Sequence, residues 1–237
     1  MEQPMTAITT VIFDMFNTIA QDGPDHWRRS FVQIIADQGL ATDPETLRQA
    51  WDFGSNDFRE RRLDPGGPFI SYLDGWADAF GRAFVELNLQ GDALAASQKS
   101  IDDLGHRPLF PDVPEALSAL GQRRRLAVLS NADDAYLNPV VARIPADFAV
   151  VASSEGGKCY KPDARLFRMV LDELEADPSE CVYVGDKQFE DVKGARGVGM
   201  SVVWINRRGE PMNPDLPTPD AEIRDLLELP QILEQLS

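Results

Sequence analysis

Four short polar stations in this chain each stand where an apolar run ends. Asp14 follows Thr9 to Phe13, and Ser130-Asn131 follows Leu126 to Leu129. Lys161 comes shortly after Phe148 to Ala152, and Gly185-Asp186-Lys187-Gln188-Phe189-Glu190-Asp191 follows Val182 to Val184. If the runs are neighbouring strands, Asp14, Asp186 and Asp191 bring three carboxylates into one crevice. Like charges at about 4 Å repel by roughly 4 kcal/mol per pair at an effective dielectric near 20. Protons or a divalent cation must offset that repulsion. Oxygen donors without His or Cys suit Mg²⁺, held partly by water and substrate. With its charge masked, Asp14 could attack an electrophilic centre and form a covalent aspartyl intermediate that water then hydrolyses. Ser130 and the backbone N–H of Asn131 could hold substrate oxygens, and Lys161 could stabilise charge developing in the transition state. Each residue also has a plainer reading: Ser130 as a turn cap, Lys161 as a surface ion-pair partner, Asp191 as a helix N-cap.

The elements that must position these groups are legible from periodicity. The β-branched and aromatic run Thr9 to Phe13 predicts a buried strand, and Asn17 supplies a residue that tolerates left-handed turns. Further strands are predicted at Leu126 to Ser130, Phe148 to Ala152, Val182 to Gly185 and Val202 to Ile205, with helices between them. The helix Asp163 to Glu175 carries Leu166, Phe167, Val170, Leu171 and Leu174 on one face. This alternation implies an α/β fold, a largely parallel Rossmann-like sheet with helices on both faces. Helical periodicity alone fills the stretch after the first strand. Trp27, Phe31, Ile34 and Ile35 precede a glycine stop at Gly39, and Asp43-Pro44 opens a second helix with Leu47, Ala50, Trp51 and Phe58. A third helix is expected from about Phe69 to Leu87 and a fourth from about Asp92 to Leu104. Residues 20–107 therefore read as an all-helical insertion, and 1–19 with 108–237 as the core. Two glycine-rich stretches carry no phosphate-binding signature. Gly194 to Gly199 has the wrong spacing and follows a helix, and Gly156-Gly157-Lys158-Cys159 lacks the upstream glycine and the hydroxyl residue.

The chain has 237 residues, 43% hydrophobic and 26% charged, as expected of a soluble globular protein. Its net charge of −16 argues against nucleic acid or an anionic membrane as partner, but not against a small anionic metabolite. Two cysteines, Cys159 and Cys181, give no disulfide framework, and Cys181 reads as a small core residue. No long apolar run and no basic-then-apolar leader pattern is present, which predicts a cytoplasmic protein.

The four stations in this order, with a helical insertion after the first, resemble the haloacid dehalogenase superfamily of hydrolases over the whole chain. The resemblance rests on the strand followed by Asp14 and, four residues on, Thr18; on Ser130; on Lys161 in Tyr160-Lys161-Pro162-Asp163; and on Gly185-Asp186 with Asp191. It implies a Rossmann-like core with a helical cap. It also implies that Asp14 is the nucleophile, that Thr18 and Asn131 contact substrate, and that the backbone carbonyl of Phe16 joins Asp14, Asp186 and Asp191 around Mg²⁺, with Asp191 direct or through water.

Phosphatases of that superfamily usually carry a second Asp, a general acid and base, where this chain has Phe16. A phenyl ring cannot protonate an alkoxide, and such catalysis is typically worth ~10²–10⁴-fold. An aromatic residue there resembles the 2-haloacid dehalogenases, whose halide leaves without a proton and whose cap arginine receives halide and carboxylate. Arg59, Arg61 and Arg62 are candidates for that arginine, and they read equally as an exposed basic helix face. The fourth station points the other way, because those dehalogenases are metal-free and carry Ser where this chain has Asp186. Phosphonoacetaldehyde hydrolases use an early cap lysine, whereas the one lysine of this insertion is Lys99, far along its fourth helix. The expected activity is hydrolysis of a small phosphate compound with a good leaving group, by a monomer or homodimer. The alternatives are 2-haloacid dehalogenation and binding of a phosphorylated ligand without turnover.

Overall fold

The structure, a computed structural model, describes residues 7–64 and 66–236. In chain order its elements are β1 (Thr10–Phe13), α1 (Pro24–Gln38), α2 (Pro44–Arg61), α3 (Tyr72–Glu86), α4 (Ala93–Gly105), α5 (Val113–Gly121), β2 (Arg125–Ser130), α6 (Asp134–Val141), β3 (Val150–Ser153), α7 (Ser154–Gly157), α8 (Ala164–Leu174), β4 (Cys181–Gly185), α9 (Lys193–Arg196), β5 (Ser201–Ile205), β6 (Ala221–Ile223) and α10 (Leu229–Gln235). The chain divides into two compact units, one of residues 1–21, 108–131 and 143–237, the other of residues 22–107 and 132–142. No helix among the described residues is long and apolar enough to cross a membrane.

The first unit is built on a six-stranded sheet of order β3-β2-β1-β4-β5-β6, parallel throughout. The five predicted strands are present with boundaries shifted by one or two residues. The sixth, three-residue β6, follows a segment with Pro211, Pro214, Pro217 and Pro219 and was not expected. Central strands covered on both sides bury every residue, so β1 and β4 are continuous apolar runs. Ile12, Leu129, Tyr183 and Val202 pack with Leu166, Phe167, Val170 and Leu171 of α8, the amphipathic helix read from sequence. The chain winds outward from β1 to β3 and then returns to β4 on the other side of β1. That reversal opens a crevice at the carboxyl ends of β1 and β4, where ligands bind in open α/β sheets.

The second unit is helical. Gly39 ends α1 in the left-handed conformation at φ 63°, and Asp43 caps α2 by accepting from the N–H groups of Glu45 and Thr46 (3.0 and 3.1 Å). The rings of Trp27, Phe31, Trp51, Trp76 and Phe80 form its aromatic centre, with neighbouring centroids 5.2–6.5 Å apart. The division differs from the expected one at residues 132–142, which cluster with the helices although they follow a sheet strand. The reason is local and polar. Asp133 accepts from the N–H groups of Tyr72 and Leu73 (both 2.9 Å), capping the start of α3, and Tyr136 of α6 meets Tyr72 edge-on at 5.9 Å.

Candidate active site

β1 delivers Asp14 to the crevice while its N–H still donates to Val184 O (2.9 Å), so the backbone stays in the sheet as the carboxylate leaves it. The chain then turns sharply through Asn17, left-handed at φ 65°. β4 delivers Asp186, whose carbonyl accepts from the indole N–H of Trp204 (2.9 Å). A π-helical turn over Gln188–Val192 then swings Asp191 back toward the strand end, where its Oδ2 accepts from the Lys187 N–H (2.8 Å). Gly185 allows this fold-back, since a Cβ there would lie 2.4 Å from the Asp191 carboxyl carbon. One oxygen from each of Asp14, Asp186 and Asp191 lies within 4.8 Å of the other two.

Lys161 stands between two of these acids. Its Nζ donates to Asp14 Oδ1 (2.8 Å), Asp191 Oδ1 (2.6 Å) and the Tyr183 hydroxyl (2.8 Å). It is fully buried, so the surface ion-pair reading of Lys161 is set aside. Ser130 donates its hydroxyl to Asp14 Oδ1 (3.2 Å) and does not serve as a turn cap. The Asn131 side chain brackets Lys161, accepting from its N–H (2.8 Å) and donating to its carbonyl (3.2 Å), and it also donates to Glu190 Oε2 (3.1 Å). Thr18 is wholly buried, and its Oγ1 makes no hydrogen bond among the described residues. Its carbonyl accepts from Arg207 (2.8 Å), which also pairs with Asp112 (2.9 Å). Phe16 is half-buried in the turn after the nucleophile position.

Burial pushes the Asp14 carboxyl up to about 6; Lys161 opposes the rise and the Asp191 charge adds to it. Burial pushes Asp186 up to about 8, with Lys187 opposing and the other two acids adding. Burial would neutralise Lys161, but the Asp14 and Asp191 charges outweigh it and hold its pKa well above the usual lysine range. Burial likewise raises the Tyr183 hydroxyl well above its ordinary value, so it stays protonated. Carboxyls that resist ionisation beside one another, with oxygen-only donors, fit a small hard divalent cation. Asp14 and Asp186 would be the residues to hold such an ion directly. Both oxygens of Asp191 already accept from Lys161 and Lys187, which suits contact through water.

Arg59 and Arg61 of α2, and Arg62 just after it, lie in the helical unit. Arg59 bonds Asn56 (3.0 Å), Arg61 pairs with Asp57 and Asp78 (both 3.2 Å), and Arg62 bonds the Tyr72 hydroxyl with its guanidinium 5.4 Å from that ring's centroid. Tyr183, Lys187 and Glu190 are the site residues that sequence reasoning passed over. Tyr183 read as ordinary strand composition, although a hydroxyl in an otherwise apolar central strand is itself a signal.

Comparison with known proteins follows the same lines. The family described as haloacid dehalogenase-like hydrolase matches residues 8–199. A phosphoserine phosphatase from Thermus thermophilus is 34% identical over 171 residues, covering 68% of each chain. An (S)-2-haloacid dehalogenase from Pseudomonas sp. strain YL is 30% identical over 169 residues, covering 70% of this chain and 72% of that one. In three dimensions, a magnesium-bound HAD-hydrolase from Bacillus subtilis superposes with a TM-score of 0.80 over 96% of this chain and 99% of that one, at 20% identity.

Proposed function

The chain belongs to the haloacid dehalogenase-like hydrolases, and from that premise we propose that it is a divalent-cation-dependent phosphohydrolase working through an aspartyl intermediate on a small anionic substrate. The observation that carries this reading is the meeting of Asp14, Asp186 and Asp191 within 4.8 Å, because both acids of the fourth station are then available to a cation. The 34% identity to a phosphatase agrees with it. A bound Mg²⁺ would supply positive charge against the substrate oxygens.

The protein's own groups account for the rest. Ser130 and Lys161 both donate to Oδ1 of Asp14, which leaves Oδ2 as the attacking oxygen. The Oδ2–phosphorus bond forms as the bond to the leaving group breaks, and the electron pair departs with that group. Water then attacks the aspartyl phosphate, releasing phosphate and restoring Asp14. Lys161 stays protonated beside Asp14, so it acts as a fixed charge. Phe16 offers no proton to the departing oxygen. The substrate is therefore one whose leaving group is stable as an anion, an acyl phosphate or a phosphoanhydride.

A second reading, 2-haloacid dehalogenation, is favoured by that same Phe16 and by the 30% identity to a dehalogenase. Halide leaves without a proton, and the attack of Asp14 would then fall on carbon. Parallel assays of acetyl phosphate, para-nitrophenyl phosphate and 2-chloropropionate, each with Mg²⁺ and with chelator, separate the two. The phosphohydrolase reading expects chelator-sensitive phosphate release, and chelator-insensitive halide release overturns it. Phe16→Asp should raise turnover of an alkyl phosphate monoester, whose alkoxide needs a proton to leave, by ~10²-fold, the lower end of what an acid–base residue contributes.

A further inference from the structure

A cationic side chain stands directly on one of the acids placed to hold a metal. Lys187 Nζ lies 3.1 Å from Asp186 Oδ2. Its backbone N–H is pinned on Asp191 Oδ2 (2.8 Å), so the root of the side chain is fixed at the site. The two side chains differ in exposure: Asp186 is 14% exposed and Lys187 is 50% exposed. The ammonium can therefore leave the carboxylate for solvent without a new burial cost, while the carboxylate cannot follow it. Lys161 already neutralises charge between Asp14 and Asp191. Two ammonium groups thus serve three carboxylates, and Asp186 is the one whose counter-charge is detachable.

We infer that Lys187 is a tethered counter-cation which a divalent ion must displace from Asp186, so that this residue sets how tightly the site takes its metal. The inference rests on the reading of the three acids as a cation site and adds to it a residue that opposes loading. An ammonium one residue away is present at high effective concentration, and a divalent ion arriving at the same carboxylate must break the pair and tolerate the displaced charge nearby. Without metal, the pair offsets part of the repulsion among the acids. The metal, in turn, is held loosely until an anionic substrate adds its own oxygens.

The test is calorimetric titration of the whole protein with MgCl₂ at fixed salt and at pH 9, where Asp186 is ionised and the ammonium is its competitor, for the native chain, Lys187→Met and Lys187→Arg, with thermal melts in chelator and in saturating Mg²⁺. Lys187→Met should bind Mg²⁺ about 3- to 10-fold more tightly, the scale of losing a partly exposed charge that faces a divalent ion. It should also melt below the native protein in chelator and recover that loss in Mg²⁺. Lys187→Arg keeps the charge and should bind as the native chain does. Equal or weaker binding by Lys187→Met, with Mg²⁺ binding by the native chain intact, overturns the role of Lys187 alone. Absence of Mg²⁺ binding by the native chain and both variants overturns the cation site together with it.

Discussion

Asp186→Asn should make the protein more stable and less functional at once. Burial raises the Asp186 carboxyl to about 8, against 3.8 for the ordinary side chain. The folded protein thus keeps a proton that the unfolded chain has given up. The stability this supports is fully present below pH 3.8 and drains away as pH rises toward about 8. At pH 7.5 some 3.7 pH units of that window have been crossed. At ~1.36 kcal/mol per unit the native protein has forfeited about 5 kcal/mol relative to its acid limit. Asn has the same shape and no proton to lose, and the Trp204 bond goes to the main-chain carbonyl of residue 186, so it survives. Allowing for the lost Lys187 pair and for relaxation around the site, a gain of about 2–3 kcal/mol remains. Urea denaturation in EDTA at pH 7.5 and pH 5 measures it. The variant should lead at pH 7.5, and its lead should vanish at pH 5, where the native protein has forfeited only about 1.6 kcal/mol by the same count. Adding Mg²⁺ should raise the native midpoint and leave the variant unmoved. A variant no more stable than the native chain at pH 7.5 in EDTA would refute the reasoning.

Lys161→Met should abolish turnover and lower stability by about 3–5 kcal/mol in denaturant titrations, because it strands two buried carboxylates. Tyr183→Phe removes a hydroxyl that accepts from Lys161 and donates to Leu129 O (2.7 Å) while keeping the ring that meets Phe167 at 5.3 Å. It should cost about 1–3 kcal/mol of stability and reduce kcat about tenfold with KM unchanged, read by steady-state kinetics and melting. Gly185→Ala places a methyl against the Asp191 carboxyl and should eliminate Mg²⁺ binding in calorimetry even where circular dichroism shows a folded protein.

The four stations were legible because each combines a strand end with a residue type that has few other uses there. A buried strand announces itself by apolar continuity, and the first polar residue after it lies at the sheet's edge. That is why Asp14, Ser130 and Asp186 stood out at strand ends, while Lys161 and Asp191 joined them through the ordered combination that resembles the superfamily. What stayed hidden depends on contacts between distant parts of the chain. Tyr183 meets Lys161 and Leu129, which lie 22 and 54 positions away, and its aromatic ring suits a strand without any further role. The Asn131 side chain turns to Lys161, 30 positions on, a task that its type does not reveal. β6 is only three residues long and emerges from a proline-rich stretch, too short for alternation to register. The arginines at 59, 61 and 62 stood out by charge alone, and charge does not reveal that Arg59 and Arg61 meet Asn56, Asp57 and Asp78 while the half-buried Arg62 lies against Tyr72.

The capping of α3 by Asp133 bears on how this protein can be cut and recombined. A fragment of residues 22–107 is contiguous and looks like a ready-made module for transplantation between enzymes. It would carry away the Tyr72 and Leu73 amides without the carboxylate that satisfies both of them, and Tyr72 without Tyr136. A chimaera that exchanges substrate preference by swapping helices must therefore exchange residues 132–142 as well, as a second splice made immediately after Asn131.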